Sequence, residues 1–415
     1  MSARDVVPPG FDFTDPETYR SRVPHEEFMA LRRNAPVFWV DQTDEAAAGM
    51  LTNDGTSRGY WAVSKHEDVA AVSKNSKDFS TMENGAIIRF QEDMTRDQVE
   101  FQRVMLINQD PPDHTKTRQI ISRGFTPRSI GALQEIMENR AELIVKEALT
   151  RGEGNFVEDV AAELPLQAIA DLLGVPQEDR RKLFEWSNEM IAYDDPEYSI
   201  DPETAATEIL GYAMGMAADR KENPRDDIIT KLITADVDGH ALTDDEFGYF
   251  VILLTVAGNE TTRNAITHGM NAFCDFPDQW ELWKSERPDS MVDEVIRWAT
   301  PVTSFQRTAL NDVRVGDVDV RKGQRVGLFY ASANHDEAVF DDAFTFDITR
   351  DPNPHLAFGG HGAHYCIGAN LARLEVKLMF NALADLAPHL TKTAEPRRLR
   401  SGWINGIKEL SVKYA

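Results

Sequence analysis

The chain has very little cysteine. Cys274 and Cys366 are its only two in 415 residues, too few for a disulfide framework and consistent with a reducing compartment. Basic residues are also scarce. Lys and Arg number 44 against 69 Asp and Glu, a formal net charge of −25, which argues against nucleic acid and anionic membranes as partners. No apolar run reaches the roughly 18 residues of a membrane span, and Met1–Gly10 lacks the apolar core of a signal peptide. No strand-linked Gly-x-Gly-x-x-Gly is there to cradle a dinucleotide. No repeat or low-complexity linker divides the sequence, so a single catalytic domain, 1–415, wrapped around one site is expected. With 42% apolar residues it has ample core.

What is present centres on Pro354–Leu374, which reads PHLAFGGHGAHYCIGANLARL. Gly359, Gly360 and Gly362 allow a loop with positive φ whose backbone passes close to something flat. Ile367, Leu371, Leu374 and Leu378 fall at helical spacing, which predicts a helix from about Cys366. A cysteine there meets unpaired N–H groups and the positive helix end, which favour thiolate. Taken alone, such a cysteine reads as a small apolar residue in a turn. The pattern Gly360-x-Gly362-x-His364-x-Cys366-x-Gly368 overrides that, because it resembles the haem-ligand loop of the cytochrome P-450 monooxygenases, where a cysteine thiolate is the axial ligand of iron. The family's aromatic residue seven positions before the cysteine is Gly359 here, with Phe358 one earlier. The resemblance implies Cys366 as metal ligand, heme b (iron protoporphyrin IX) as cofactor, and Phe358, Gly360, His364 and Gly368 as residues around it.

A long helix is predicted from Asp244 to Phe273, opened by a Thr243/Glu246 capping box and uninterrupted by proline before Pro277. It begins as an apolar run, Phe247 to Gly258, and changes abruptly to Asn259-Glu260-Thr261-Thr262-Arg263-Asn264. A polar cluster inside a buried helix is costly unless satisfied or used. Either the helix emerges from the core at Asn259, or the cluster has work to do. Ala257 and Gly258 remove bulk so that a planar group can approach, and Thr261 can compete for a backbone carbonyl and open the ladder to water. Beside the cysteine loop, Ala257-Gly258-x-Glu260-Thr261 resembles the oxygen-activation segment of the same family. That implies Glu260 and Thr261 as the acid and alcohol that relay protons, with Ala257 and Gly258 against the cofactor.

Other motifs are ambiguous alone. His114 and Arg118, four apart on a helix that starts at Asp110-Pro111-Pro112-Asp113, read as a solvated surface pair. In the family an equivalent His-x-x-x-Arg contacts the haem propionates, as do residues matching Arg307 and His355. Lys116, Arg123 and Arg128 extend this basic neighbourhood on an acidic chain, and the family's redox partners are often acidic ferredoxins. Glu294-x-x-Arg297 reads as an exposed pair; the resemblance makes it the buried pair that ties the fold behind the haem. Thr345 stands where many relatives have arginine, so the third member of that charge cluster is either missing or supplied by Arg350. Met82–Phe90 follows no period and reads as a loop tucked into the core. In the family this region lines the substrate pocket, which points to Ile87 and Phe90, and Val256, Val302 and Trp403 are placed along the same funnel.

Elsewhere, Pro36–Val40 and Tyr60–Val63 read as a hairpin, His66–Ser73 as a helix and Val313–Tyr330 as a strand meander. Gly131–Lys221 reads as several helices punctuated by Pro165, Pro176, Pro196 and Pro202. Asp236–Gly239 lacks the later ligands of a calcium loop and reads as a turn. The implied fold is mainly α with small β-sheets, the cytochrome P-450 fold with its long central helix over haem. Among its members, the three glycine-, threonine- and tryptophan-bearing segments around Gly258, Cys366 and Trp403 look most like actinobacterial steroid monooxygenases that oxidise a terminal side-chain methyl of cholesterol. That resemblance implies a sterol substrate, O2, ferredoxin and ferredoxin reductase as partners, no membrane anchor, a monomer, and a bacterial cytoplasmic location. A hydroxylase of fatty acids, terpenes or another steroid position is the alternative. A non-catalytic haem-thiolate sensor would keep Cys366 without needing the acid and alcohol pair, and a zinc or thiol-redox protein would need further ligands beside it.

Overall fold

The computed structural model describes residues 7–48, 58–91, 94–198, 202–225, 227–235 and 241–415; the predicted turn at Asp236–Gly239 lies outside them. A helix of 32 residues, Asp244–Asp275, forms the axis of the molecule and is about 48 Å long. Its capping box closes as expected: Glu246 N donates to Thr243 Oγ1 at 3.1 Å and Thr243 N to Glu246 Oε2 at 2.8 Å. Asp244, Asp245 and Glu246 lie at its positive end. Around this central helix pack the helices Glu163–Leu173, Arg180–Ile191, Pro202–Glu222, Met291–Ala299 and Ala369–Leu386. Where it crosses the last two, Gly269 carries no side chain. A Cβ there would stand 2.7 Å from Phe380 and 2.8 Å from Val295, so glycine permits the close approach.

The largest apolar cluster runs through these helices and includes Phe247, Ile266, Phe273, Val295 and Phe380. A five-stranded sheet sits to one side. Its order is Val37–Asp41, Gly59–Val63, Arg325–Phe329, Ser304–Ala309 and Phe79–Ser80. The first two strands form the expected antiparallel hairpin, with Val40 opposite Tyr60. The expected meander divides: Val313–Val315 and Val318–Val320 pair with each other, whereas Arg325–Phe329 joins the main sheet, parallel to Gly59–Val63. The helix expected at His66 spans His66–Lys74.

Behind the cysteine loop, Arg297 donates from Nε and Nη2 to the two oxygens of Glu294 at 2.7 and 2.8 Å, with both side chains fully buried. Arg350 Nε adds a third contact to Glu294 at 3.1 Å, so Arg350 supplies the member that Thr345 cannot. Thr345 contributes its carbonyl, which accepts from both arginines.

Candidate active site

The cysteine loop owes its shape to a neighbour. Gly360 and Gly362 have φ of 73° and 113°, and a Cβ on Gly362 would stand 2.5 Å from the Ser73 carbonyl oxygen. The close approach expected of a flat partner is therefore made to the end of the helix His66–Lys74. Cys366 N donates to Phe358 O at 3.0 Å and Arg118 Nη2 to Tyr365 O at 2.6 Å, fixing both flanks of the thiol. The following helix begins at Ala369, with Gly368 as its N-cap, three residues later than expected. Cys366 is accessible to water, yet burial pushes its thiol up, against the Gly368 N–H, Arg118 and Arg373, which pull it down. The thiol is thus within reach of water while protein surrounds most of it. The expected preference for thiolate is thus overturned for the protein alone, because desolvation outweighs the helix end; a metal ion would supply the missing positive charge.

The central helix also has an open stretch. Thr255, Asn259, Glu260 and Thr262 are buried, while Ala257 is exposed and Leu253, Val256 and Thr261 are half-buried. Leu253, Ala257 and Thr261 are spaced four apart and form one stripe. An exposed alanine in the middle of a sheathed helix leaves room for a flat group. Thr261 Oγ1 donates to Ala257 O at 2.7 Å, the expected competition for a carbonyl, although the helix runs unbroken. Gly258 departs from expectation: its missing Cβ would meet Ile169 Cδ1 at 2.5 Å, so it seats the helix Glu163–Leu173. Glu260 also faces elsewhere. It pairs with Arg263, whose Nη1 donates to Asn188 at 2.7 Å, and Asn259 donates to Ser187 at 3.0 Å. The acid thus lies toward the helix Arg180–Ile191, off the stripe that carries Thr261. Its Oε1 has no partner, and burial raises its carboxyl despite Arg263.

Four basic groups converge beside the cysteine loop. The His114 and His364 rings lie 4.4 Å apart, and Arg307 and Arg118 both act on His364. Arg307 is buried and donates to Gln306 O at 2.7 Å; His114 Nε2 has no partner; His364 Nε2 lies 3.2 Å from Thr81 Oγ1. Burial, aided by the neighbouring cations, lowers His114 to about 4 and His364 to about 2. Among the described residues, no carboxylate is bonded to any of the four. Buried cations without an anion are costly, and two carboxylates would fit them. His355 does not join this group. Its Nε2 donates to Asp293 at 3.1 Å and its Nδ1 accepts from Ala357 N at 3.3 Å, which leaves no nitrogen for the expected propionate contact.

Of the expected substrate residues, Val256, Val302 and Trp403 share one apolar cluster with Ile191, Ala192 and Ile404. It begins beside the open stripe, since Val256 precedes Ala257. Ile87 and Phe90 stand apart from it on the loop 84–90, which is held from the sheet. Gln306 Nε2 donates to Asn84 O at 3.0 Å and Ile87 O at 2.8 Å, and Arg325 donates to Ile88 O and lies 4.7 Å beneath the Phe90 ring. Sequence reasoning missed Gln306 and Arg325, because nothing in a strand pattern distinguishes a buried polar residue from an exposed one.

A water-accessible thiol in the glycine loop, an open helix stripe and a basic cluster with no carboxylate bonded to it together fit haem. Cys366 would hold its metal, and His114, Arg118, Arg307 and His364 its carboxylates. Comparison with known proteins agrees. The family profile "Cytochrome P450" matches residues 288–384. The chain is 60% identical over 412 residues to a steroid C26-monooxygenase of Rhodococcus jostii, covering 99% of this chain and 86% of that protein. It is 57% identical to the steroid C26-monooxygenase of Mycobacterium tuberculosis, covering 98% of this chain and 93% of that one. Among solved structures, a Mycobacterium marinum cytochrome P450 in complex with pseudoionone superposes with a TM-score of 0.89 at 33% identity, covering 98% and 99% of the two chains. On the site geometry and these near full-length matches, the chain belongs to the cytochrome P450 family of haem-thiolate monooxygenases.

Proposed function

We propose that this protein hydroxylates a terminal side-chain methyl of a sterol such as cholesterol or cholest-4-en-3-one, with O2 and electrons from a ferredoxin and its reductase. The observation that carries the reading is the apolar cluster of Val256, Val302 and Trp403, which begins next to the open Ala257. The steroid C26-monooxygenases, 56% to 60% identical over nearly the whole chain, supply the substrate class.

Bound haem supplies oxygen activation and electron transfer. The chain's own groups do the rest. Cys366 is the ligand, and its thiolate is favoured once a cation is beside it. Thr261, on the open stripe, presents its hydroxyl to the reacting side of the pocket. Glu260, with a raised carboxyl, holds a proton at neutral pH more readily than an ordinary glutamate and passes it toward Thr261 through water after leaving Arg263. A primary C–H is harder to break than the neighbouring tertiary one, so regioselectivity must come from a narrow funnel that admits the chain end-on. Val256, Val302 and Trp403 would line that funnel as one cluster, joined by Ile87 and Phe90 from the separate loop 84–90. Exposed Arg123 and Arg128, with Lys116 beside them, suit an acidic ferredoxin. A monomer working in the bacterial cytoplasm completes the reading.

Product analysis by mass spectrometry tests it. Hydroxylation of a terminal methyl is expected, shifting toward the tertiary alcohol in Val256→Ala and Trp403→Ala. Oxidation on the rings, or rapid turnover of branched lipids with none of sterols, would overturn it. The second outcome has a precedent in a methyl-branched lipid omega-hydroxylase of Mycobacterium tuberculosis, 39% identical over 94% of this chain and 90% of that protein.

A further inference from the structure

The apolar funnel ends in a polar mouth. Three chain segments change character there within one or two residues: Phe90 gives way to Arg89, Trp403 to Gly402 and Arg400, and Ala192 to Tyr193 and Asp194. These polar residues, Gly402 aside, line a surface cavity of about 490 Å³ together with Phe90. Trp403 and Ala192 belong to the cluster that begins at Val256, so adjoining chain segments lead from that cluster to the cavity.

The mouth's groups are unequally committed. Arg400 donates to Glu17 at 2.5 Å and to the Asp194 carbonyl. Asp194 Oδ2 accepts from Gly402 N at 3.2 Å. Arg89 is less well supplied. Its Nη2 donates to Glu45 at 3.1 Å, but its Nε stands 4.0 Å from Asp194 Oδ1, beyond hydrogen-bond reach. Its side chain is 13% exposed, and its Nε and Nη1 have no hydrogen-bond acceptor among the described residues. Asp194 and Glu45 already flank this guanidinium, and a third carboxylate would be repelled. The oxygen that suits Arg89 is uncharged.

A cholesterol-type sterol carries its single oxygen on ring carbon 3, at the end opposite the terminal methyl. With the methyl at the stripe of Ala257 and Thr261, that oxygen arrives at the mouth. We propose that Arg89 donates a hydrogen bond to this ring-end hydroxyl or ketone, with Asp194 and Glu45 as positioning residues for its guanidinium. The inference rests on the sterol reading and adds to it a reason for choosing neutral sterols over fatty acids.

The test is equilibrium binding to the haem-loaded protein, followed by the absorbance change of the ferric form. Cholest-4-en-3-one is compared with its 3-deoxy counterpart. The parent is expected to bind the ketone about tenfold more tightly. Arg89→Met should bring the two within about twofold, Arg89→Lys should keep most of the preference, and Asp194→Asn should reduce it in part, with thermal midpoints unchanged. Equal binding of both ligands by the parent, or a loss in Arg89→Met that is the same for both, would overturn the subsite alone. Failure to bind either sterol would overturn the substrate class, and the subsite with it.

Discussion

Two groups of buried arginine stand within a few turns of each other and differ in one respect. Arg297 and Arg350 close on Glu294, whose oxygens accept three donors from them, and the remaining N–H groups of Arg297 reach the carbonyls of Asn334, Ala343 and Thr345. Arg307, with His114, Arg118 and His364, has no carboxylate hydrogen-bonded to it among the described residues, and Asp110 acts on Arg307 and His114 only at a distance. The first group is complete in the protein alone. The second has charge to spare, and burial beside its arginines keeps its histidines neutral. A buried cation paired within the chain supports the fold, whereas one left unpaired marks where a ligand's charge belongs.

The difference can be broken from the side of the complete group. Arg297→Met leaves the buried Glu294 with Arg350 as its one remaining cation, beside Asp347 N and Asn353, and the expected loss is about 3–5 kcal/mol in denaturant unfolding, with or without haem. Next in size is the opposite behaviour of Arg307→Met. Removing a buried cation bonded to a carbonyl but to no carboxylate should leave the haem-free protein as stable as the parent or more so, while weakening haem retention roughly tenfold or more in a transfer assay to apomyoglobin. A fall in stability of the haem-free variant comparable to that of Arg297→Met would erase the distinction.

Acid sharpens the same contrast. His114 and His364 have folded values of about 4 and about 2, below the ordinary 6.5. A depressed histidine contributes stability that is present above 6.5 and is lost as pH falls toward the folded value, because the unfolded chain takes up the proton first. The haem-free protein should therefore lose stability from about pH 6.5 downward. His25, lowered to about 4, and His268, to about 3, add to this loss. Haem carboxylates would lift His114 and His364 and shrink their share, so His114→Gln should flatten the acid limb of the haem-free protein more than that of the loaded one. Thermal midpoints across pH 4 to 7 check it. The smallest effect is at the surface. Lys116 lies 3.3 Å from Asp113 and both are exposed, so Lys116→Glu or Arg123→Glu should alter only the salt dependence of reduction by an acidic ferredoxin, with stability unchanged.

Both arginine groups contain residues that the sequence named, yet it could not say which was which. Glu294-x-x-Arg297 and His114-x-x-x-Arg118 are each ordinary helical pairs, and only burial separates them from surface ornament. The central helix was legible because its capping box and uninterrupted period are local. Cys366 was legible because its loop pattern is dense in glycine. The start of the next helix at Ala369 was not, since Ile367 keeps the apolar spacing while still in the turn. Glu260 and Thr261 are adjacent in sequence but about 100° apart around the helix axis, so their separation onto different surfaces depends on which neighbouring helix supplies Asn188 to Arg263. Gly258 and Gly362 were read as room for a ligand. A sequence reports a missing side chain without saying what fills its place, and here helices fill it.

The loop over the pocket, residues 84–90, is fastened through its main chain by Gln306 and Arg325 from the sheet below. Its course is therefore not written in its own side chains. Ile87 can change identity without redrawing the path of the backbone; on the substrate role proposed for it above, this stretch is a natural place to try new substrates while inheriting the same scaffold. Phe90 is less free, because its ring lies against Arg325, one of the two fasteners.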